Sequence, residues 1–242
     1  MLLRLLVASV PVIAILVGAA FVVPPSVPVL LRQVVLCVVG VGGIIVAERQ
    51  LFGNGWRRTV AALGFVTPRP RAVLVAMVVS LPMWLFLPIV ARLAGAPFAP
   101  SADWLPILLG VILVNGVAEE VIHRAFIFGH LRETRSFWAS ATISAVIFGL
   151  QHIYLLFTIG TVAGMASVGL ALALAFPLAF LYERGGNSLG APAILHTSSN
   201  APMMLFVTPE AAGGVLLPHM AVVLASMYLS FAFRPWLQSK GG

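Results

Sequence analysis

The sequence predicts an all-α fold, a polytopic membrane helical bundle of about eight transmembrane helices with both termini cytoplasmic. Three observations carry that prediction. Hydrophobic residues fill 61% of the 242 positions and charged residues only 9%, against about 25% charge in a soluble globular domain, so too few charges exist to solvate a surface. Apolar runs near the ~20 residues that a bilayer crossing needs recur along the chain. Between those runs, loops rich and poor in Lys and Arg alternate, as the positive-inside rule requires. A mean hydropathy of +1.08 excludes a disordered chain. The single cysteine, Cys37, excludes an internal disulfide and a cysteine metal cluster. The net charge of +7 is loop charge of a membrane protein and implies no nucleic-acid partner.

The spans follow in order. The first runs from about Leu5 to Val23 and stops at Pro24-Pro25. Arg4 ahead of an apolar run also fits a signal peptide, but the run is long for one and no A-x-A site precedes Pro24, so a retained span is expected. The second runs from about Val29 to Ala47, the third from Ala72 to Leu93. The fourth runs from Trp104 to Leu131, with Ser101 or Asp103 as N-cap. The fifth starts after Ser136 and reaches Phe157; the sixth covers Thr161 to Tyr182. The seventh runs from Leu189 to Val207 and the eighth from Gly213 to Phe233. The stretch Glu48–Arg71 carries five Arg with Trp56, Leu63 and Phe65 and is too polar to span. It reads as a basic loop that fixes topology, or as a helix lying on the anionic inner leaflet.

No internal repeat is visible, so residues 1–242 form a single membrane domain. Within it, 1–103 hold the N-terminal spans and the basic loop, 104–207 the core helices with polar motifs, and 208–242 the last span and tail. With eight spans, one side holds Arg4, Arg49, Arg57, Arg58, Arg69, Arg71, Arg132, Arg135, Arg184, Arg234 and Lys240, and the other only Arg32 and Arg92. The rich side is expected to be cytoplasmic. The Arg-heavy composition points to a bacterial plasma membrane.

Charges stand where a bilayer disfavours them. Glu119 and Glu120 are adjacent in the middle of the fourth span, and His123 and Arg124 follow. Each intramembrane charge costs about 2.5–3.5 kcal/mol on insertion scales. Glu120 and Arg124, four apart, share a helical face and neutralise each other; Glu119 and His123 share the neighbouring face. Glu119 is therefore left without the Arg as its nearest helical partner, and a carboxylate beside an imidazole in a dry site suits proton transfer. A polar clamp between helices explains Glu120 with Arg124 but needs no second carboxylate. The fifth span adds Phe148-Gly-Leu-Gln-His152 and the seventh His196-Thr-Ser-Ser-Asn200. Measured from the arginine-rich helix ends, these groups fall roughly 10–20 Å deep, so three helices can bring them to one level. His130 and His219 lie nearer span ends and read as interfacial.

Glu119-Glu120-x-x-x-Arg124, Phe148-x-x-x-His152 and His196-x-x-x-Asn200 resemble, in order, the three motifs of the CPBP family of intramembrane glutamic endopeptidases, which holds the type II CAAX prenyl proteases and bacteriocin-processing (Abi) enzymes. The Glu-Glu pattern is expected by chance roughly 0.01 times in such a composition. Phe-x-x-x-His is weaker and recurs as Phe126 to His130. The similarity spans about Asn115 to Asn200, with His123 where Phe is common. It implies a membrane-associated peptide or protein substrate. It also implies Glu119 as base, His152 as holder of the water, His196 and Asn200 as oxyanion donors, and Glu120 with Arg124 as support, with His123 an added group. Water is expected to arrive through a cavity open to the cytoplasmic half.

The resemblance implies no cofactor. By ligand chemistry alone, Glu119, His152, His196 and His123 also offer a zinc set, although no His-Glu-x-x-His is present. Two rival readings remain at this level: a non-catalytic immunity or scaffold protein that binds a membrane peptide, and a proton-coupled transporter. The absence of an inverted repeat counts against the transporter.

Overall fold

The computed structural model describes residues 1–24, 26–206 and 209–238. Every regular element among them is helical. In chain order they are α1 (Leu2–Val22), α2 (Val29–Phe52), α3 (Trp56–Ala62), α4 (Pro70–Leu93), α5 (Trp104–Arg132), α6 (Phe137–Thr158), α7 (Thr161–Arg184), α8 (Gly190–Phe206) and α9 (Pro209–Leu229), followed by a short C-terminal turn of helix, Arg234–Gln238. Large apolar side chains stand exposed along the outer faces, among them Leu3, Leu93, Phe157 and Val162. In water such a surface would be costly; on a multi-pass membrane protein it is the surface that meets lipid.

Among the described residues, seven helices are long and apolar enough to cross a bilayer. The exception to the predicted eight is α8, which has 17 residues. At 1.5 Å per residue it reaches about 25 Å, short of a ~30 Å hydrocarbon core, and its centre is the polar run from His196 to Asn200. Packed against α4, α5 and α7, α8 buries that run inside protein. The predicted end of this span, Val207, and the tail residue Lys240 lie outside the described residues.

The two ends of the bundle differ. At the arginine-rich end the loops are cross-tied. Arg132 Nε donates to Glu183 Oε2 at 2.6 Å, joining the ends of α5 and α7. The amide of Leu189 donates to Gly64 O at 3.0 Å and Ser188 Oγ to Val66 O at 2.8 Å. Gly64 holds φ +77, and a side chain there would collide with Leu189 and Tyr182, so the chain between α3 and α4 is pressed onto the α7–α8 turn. The basic stretch is thus neither a plain loop nor a long surface helix. It is the seven-residue α3 with exposed Trp56, then a segment docked through buried Leu63. At the opposite end, the amide of Ser101 donates to Leu205 O at 2.8 Å, tying the approach of α5 to the end of α8.

Candidate active site

The motif helix α5 is not regular. After one α-helical stretch it winds with π-type hydrogen bonds over Ile112–Glu119 and again over Val121–Gly129. Wide turns of this kind are rare and cluster at functional sites. Gly116 lies in the first. A side chain there would meet Thr197 Oγ1 at 2.6 Å and Ala193 O at 3.3 Å. The missing Cβ lets α5 and α8 touch, and the contact sets His196 beside the two glutamates.

Glu119 forms part of the floor of a cavity of about 670 Å³. Its Oε1 accepts from Gln151 Nε2 at 3.0 Å and its Oε2 from Asn115 Nδ2 at 3.2 Å. His196 Nε2 stands 3.6 Å from the same Oε2, beyond a direct hydrogen bond. The other ring nitrogen, Nδ1, lies 2.8 Å from Glu120 Oε1. One imidazole is therefore hydrogen-bonded to Glu120 and turns its other nitrogen toward Glu119 across a gap. Behind this floor Glu120 is fully buried, with Arg124 Nε 3.3 Å from its Oε2. The Arg124 guanidinium sits 4.7 Å over the ring of Phe148, so the predicted Glu120–Arg124 pair is present and an aromatic face completes it.

His152 marks the end of the regular part of α6, where the helix tightens into a 3₁₀ turn over His152–Tyr154. Its Nδ1 is 2.7 Å from Phe148 O. A carbonyl only accepts, so the proton is on Nδ1, and Nε2 of the neutral ring is left as an acceptor. Asn200 also lines the cavity. Its amide nitrogen is engaged locally, at 3.2 Å from both His196 O and Ser199 Oγ.

His123 does not touch Glu119 directly, contrary to the shared-face argument. Its Nε2 is 2.7 Å from Gln151 Oε1, and Gln151 passes the contact on to Glu119. Asn115 and Gln151 occupy the carboxylate instead. Neither had been singled out, although Asn115 stands four residues before Glu119 on the same strip of helix and Gln151 directly precedes His152. Phe148, too, does more than mark a motif. Its ring is edge-on to His123, His152 and His196, with centroids 4.8, 4.6 and 5.7 Å away.

The other histidines are also buried. His130 bridges Glu48 Oε2 at 2.7 Å and Glu133 Oε1 at 2.9 Å and stacks on Phe52 at 3.9 Å; it belongs to a separate cluster, so Phe126–His130 is not the site motif. His219 lines the cavity wall. Among the described residues no group of three His, Cys, Asp or Glu side chains is placed to hold a metal ion.

The cavity also opens where it was not expected. Its wall comes from the last third of α1, the first turns of α2, the first half of α5, the last half of α6, the first half and middle of α7, the middle and end of α8 and the middle of α9. Most of this wall lies toward the arginine-poor ends. The expectation of a cavity on the arginine-rich half is overturned because the cross-tied loops close that end.

Residues 101–202 match the family described as Type II CAAX prenyl endopeptidase Rce1-like. A protein of Bacillus subtilis (strain 168), named "Putative membrane peptidase YdiL", is 38% identical over 72 residues. That match covers 30% of this chain and spans a quarter of the relative's length. The family match over 101–202 holds all of α5, α6 and α7 and the three motifs, and the resemblance to CPBP-family membrane proteases is borne out over it.

Proposed function

We propose that the protein is an intramembrane endopeptidase that hydrolyses a peptide bond of a membrane-associated substrate with a water activated by Glu119. The observation that carries this reading is the convergence of Glu119, His152, His196 and Asn200, from three helices, on one cavity. Glu119 is held by two amide donors and has no Arg of its own. In the reaction, Glu119 takes a proton from a water that also donates to His152 Nε2. The water oxygen bonds to the carbonyl carbon, and the C=O π pair moves onto oxygen. His196, when its ring carries both protons, donates from Nε2 to that oxyanion, and Asn200 adds a donor once its amide turns from Ser199. Collapse breaks the C–N bond, and the departing nitrogen receives the proton that Glu119 had taken.

Charge pairing supports the same division of roles. Arg124 is paired with Glu120, so Glu119 is the carboxylate left without a cation of its own. Preorganised oxyanion donors are worth about 3–4 kcal/mol each. No metal or cofactor takes part in this reading. Glu119→Gln tests it: the variant should retain fold and peptide affinity in detergent and lose cleavage. Retained cleavage excludes the glutamate mechanism. Biological activity without any cleavage by the wild-type protein favours a binding role.

A further inference from the structure

Resting on that reading, we infer that the peptide bond enters from the extracytoplasmic side of the membrane, as an apolar segment received by the arginine-poor mouth of the cavity. Two independent observations meet here. The first is charge. Among the described residues, ten arginines lie at the end formed by the start of α1, the α2–α4 connection, the α5–α6 turn and the ends of α7 and α9, and only Arg32 and Arg92 lie at the other. Loop bias of this size fixes orientation, with the rich end cytoplasmic. The second is shape. Most of the cavity wall lies in the arginine-poor halves of the helices, from the end of α1 and the start of α2 to the start of α5 and the end of α6, and Glu119 is part of its floor. Beneath that floor Glu120, His123 and Arg124 are fully buried, and below them the cross-ties between α5, α7 and the α3–α4 segment close the cytoplasmic end.

The lining gives the chemistry of what enters. Val29, Leu36, Ile107, Met203, Met204 and Leu216 are apolar, and among the described residues Arg32 is the one arginine or lysine in the wall. A hydrophobic peptide from the outer leaflet or the extracytoplasmic solution matches this wall. The orientation follows from arginines in the loops and helix ends, of which only Arg32 reaches the cavity wall, and the opening follows from helix packing, so neither depends on catalysis.

Cysteine labelling in intact bacterial cells tests the inference in the full-length chain, in a Cys37→Ala background. Thr134→Cys and Thr158→Cys place exposed thiols at the two ends of α6, and Ser167→Cys places one in the cavity wall on α7. A membrane-impermeant maleimide should label Thr158→Cys and Ser167→Cys in intact cells, and Thr134→Cys only after the membrane is opened. The reverse pattern overturns the inference. So does labelling of Thr158→Cys without Ser167→Cys, because the cavity is then closed to that side. Labelling requires no peptidase activity, so a failed Glu119 mechanism and a failed entrance assignment give different results.

Discussion

His196 Nδ1 lies 2.8 Å from Glu120 Oε1 while its Nε2 faces Glu119 Oε2 at 3.6 Å. The second glutamate of the motif thus does two things at once: it neutralises Arg124 and it orients the imidazole. A carboxylate accepts only, so the proton on Nδ1 points at Glu120 and the state of Nε2 is what the reaction can change.

Removing one partner of the buried pair should be severe. Glu120→Gln leaves Arg124 without a counter-charge, and Arg124→Met leaves Glu120 with only His196. Each should lower stability by about 3–5 kcal/mol, read from unfolding in detergent. The double variant Glu120→Gln/Arg124→Met should cost clearly less than the sum, because neither charge is then stranded. Additive losses would contradict the pairing.

Gln151 should act on turnover more than on folding. Its amide gives Glu119 a charge-assisted hydrogen bond of about 1.5–3 kcal/mol, so Gln151→Leu should reduce the cleavage rate by about 10- to 100-fold. His123→Phe removes only the group that fixes the Gln151 amide and should cost less than about 10-fold. In the Gln151→Leu background, His123→Phe should add nothing to the loss of rate. A full independent effect of His123 would place it outside this chain of contacts.

Phe148→Leu keeps an apolar side chain but removes the face under Arg124. A desolvated cation–π contact is worth about 2 kcal/mol. The melting temperature should fall accordingly, and most of that loss should vanish when Arg124→Met is already present. An equal loss in both backgrounds would mean that only packing is at stake.

The His130 cluster supplies the contrast. Glu48→Ala removes a fully buried carboxylate from His130 and should destabilise the fold by about 3 kcal/mol or more. The folded fraction should cleave with an unchanged rate constant. A selective loss of cleavage would tie this cluster to the site.

Hydropathy made the bundle legible, because lipid imposes long apolar helices and leaves few alternatives. The three motif segments were legible because intramembrane charge is rare enough to stand out. Three features were not. The π-type winding of α5 has no signature in periodicity over so few turns. The position of His196 beside the two glutamates depends on the close α5–α8 contact at Gly116, which needs the partner helix to be placed. The direction of the cavity depends on which loops pack together, and the Leu189–Gly64 and Ser188–Val66 contacts join residues over 120 positions apart. Gln151 and Asn115 read as ordinary polar residues until Glu119 was seen to accept from both.

The most direct measurement of the Glu119 claim is a comparison of protein termini in membranes that carry either the wild-type chain or Glu119→Gln at equal abundance. New termini within apolar, membrane-associated segments should appear with the wild-type chain alone. Identical termini in the two samples, or the same new termini with Glu119→Gln, would contradict it.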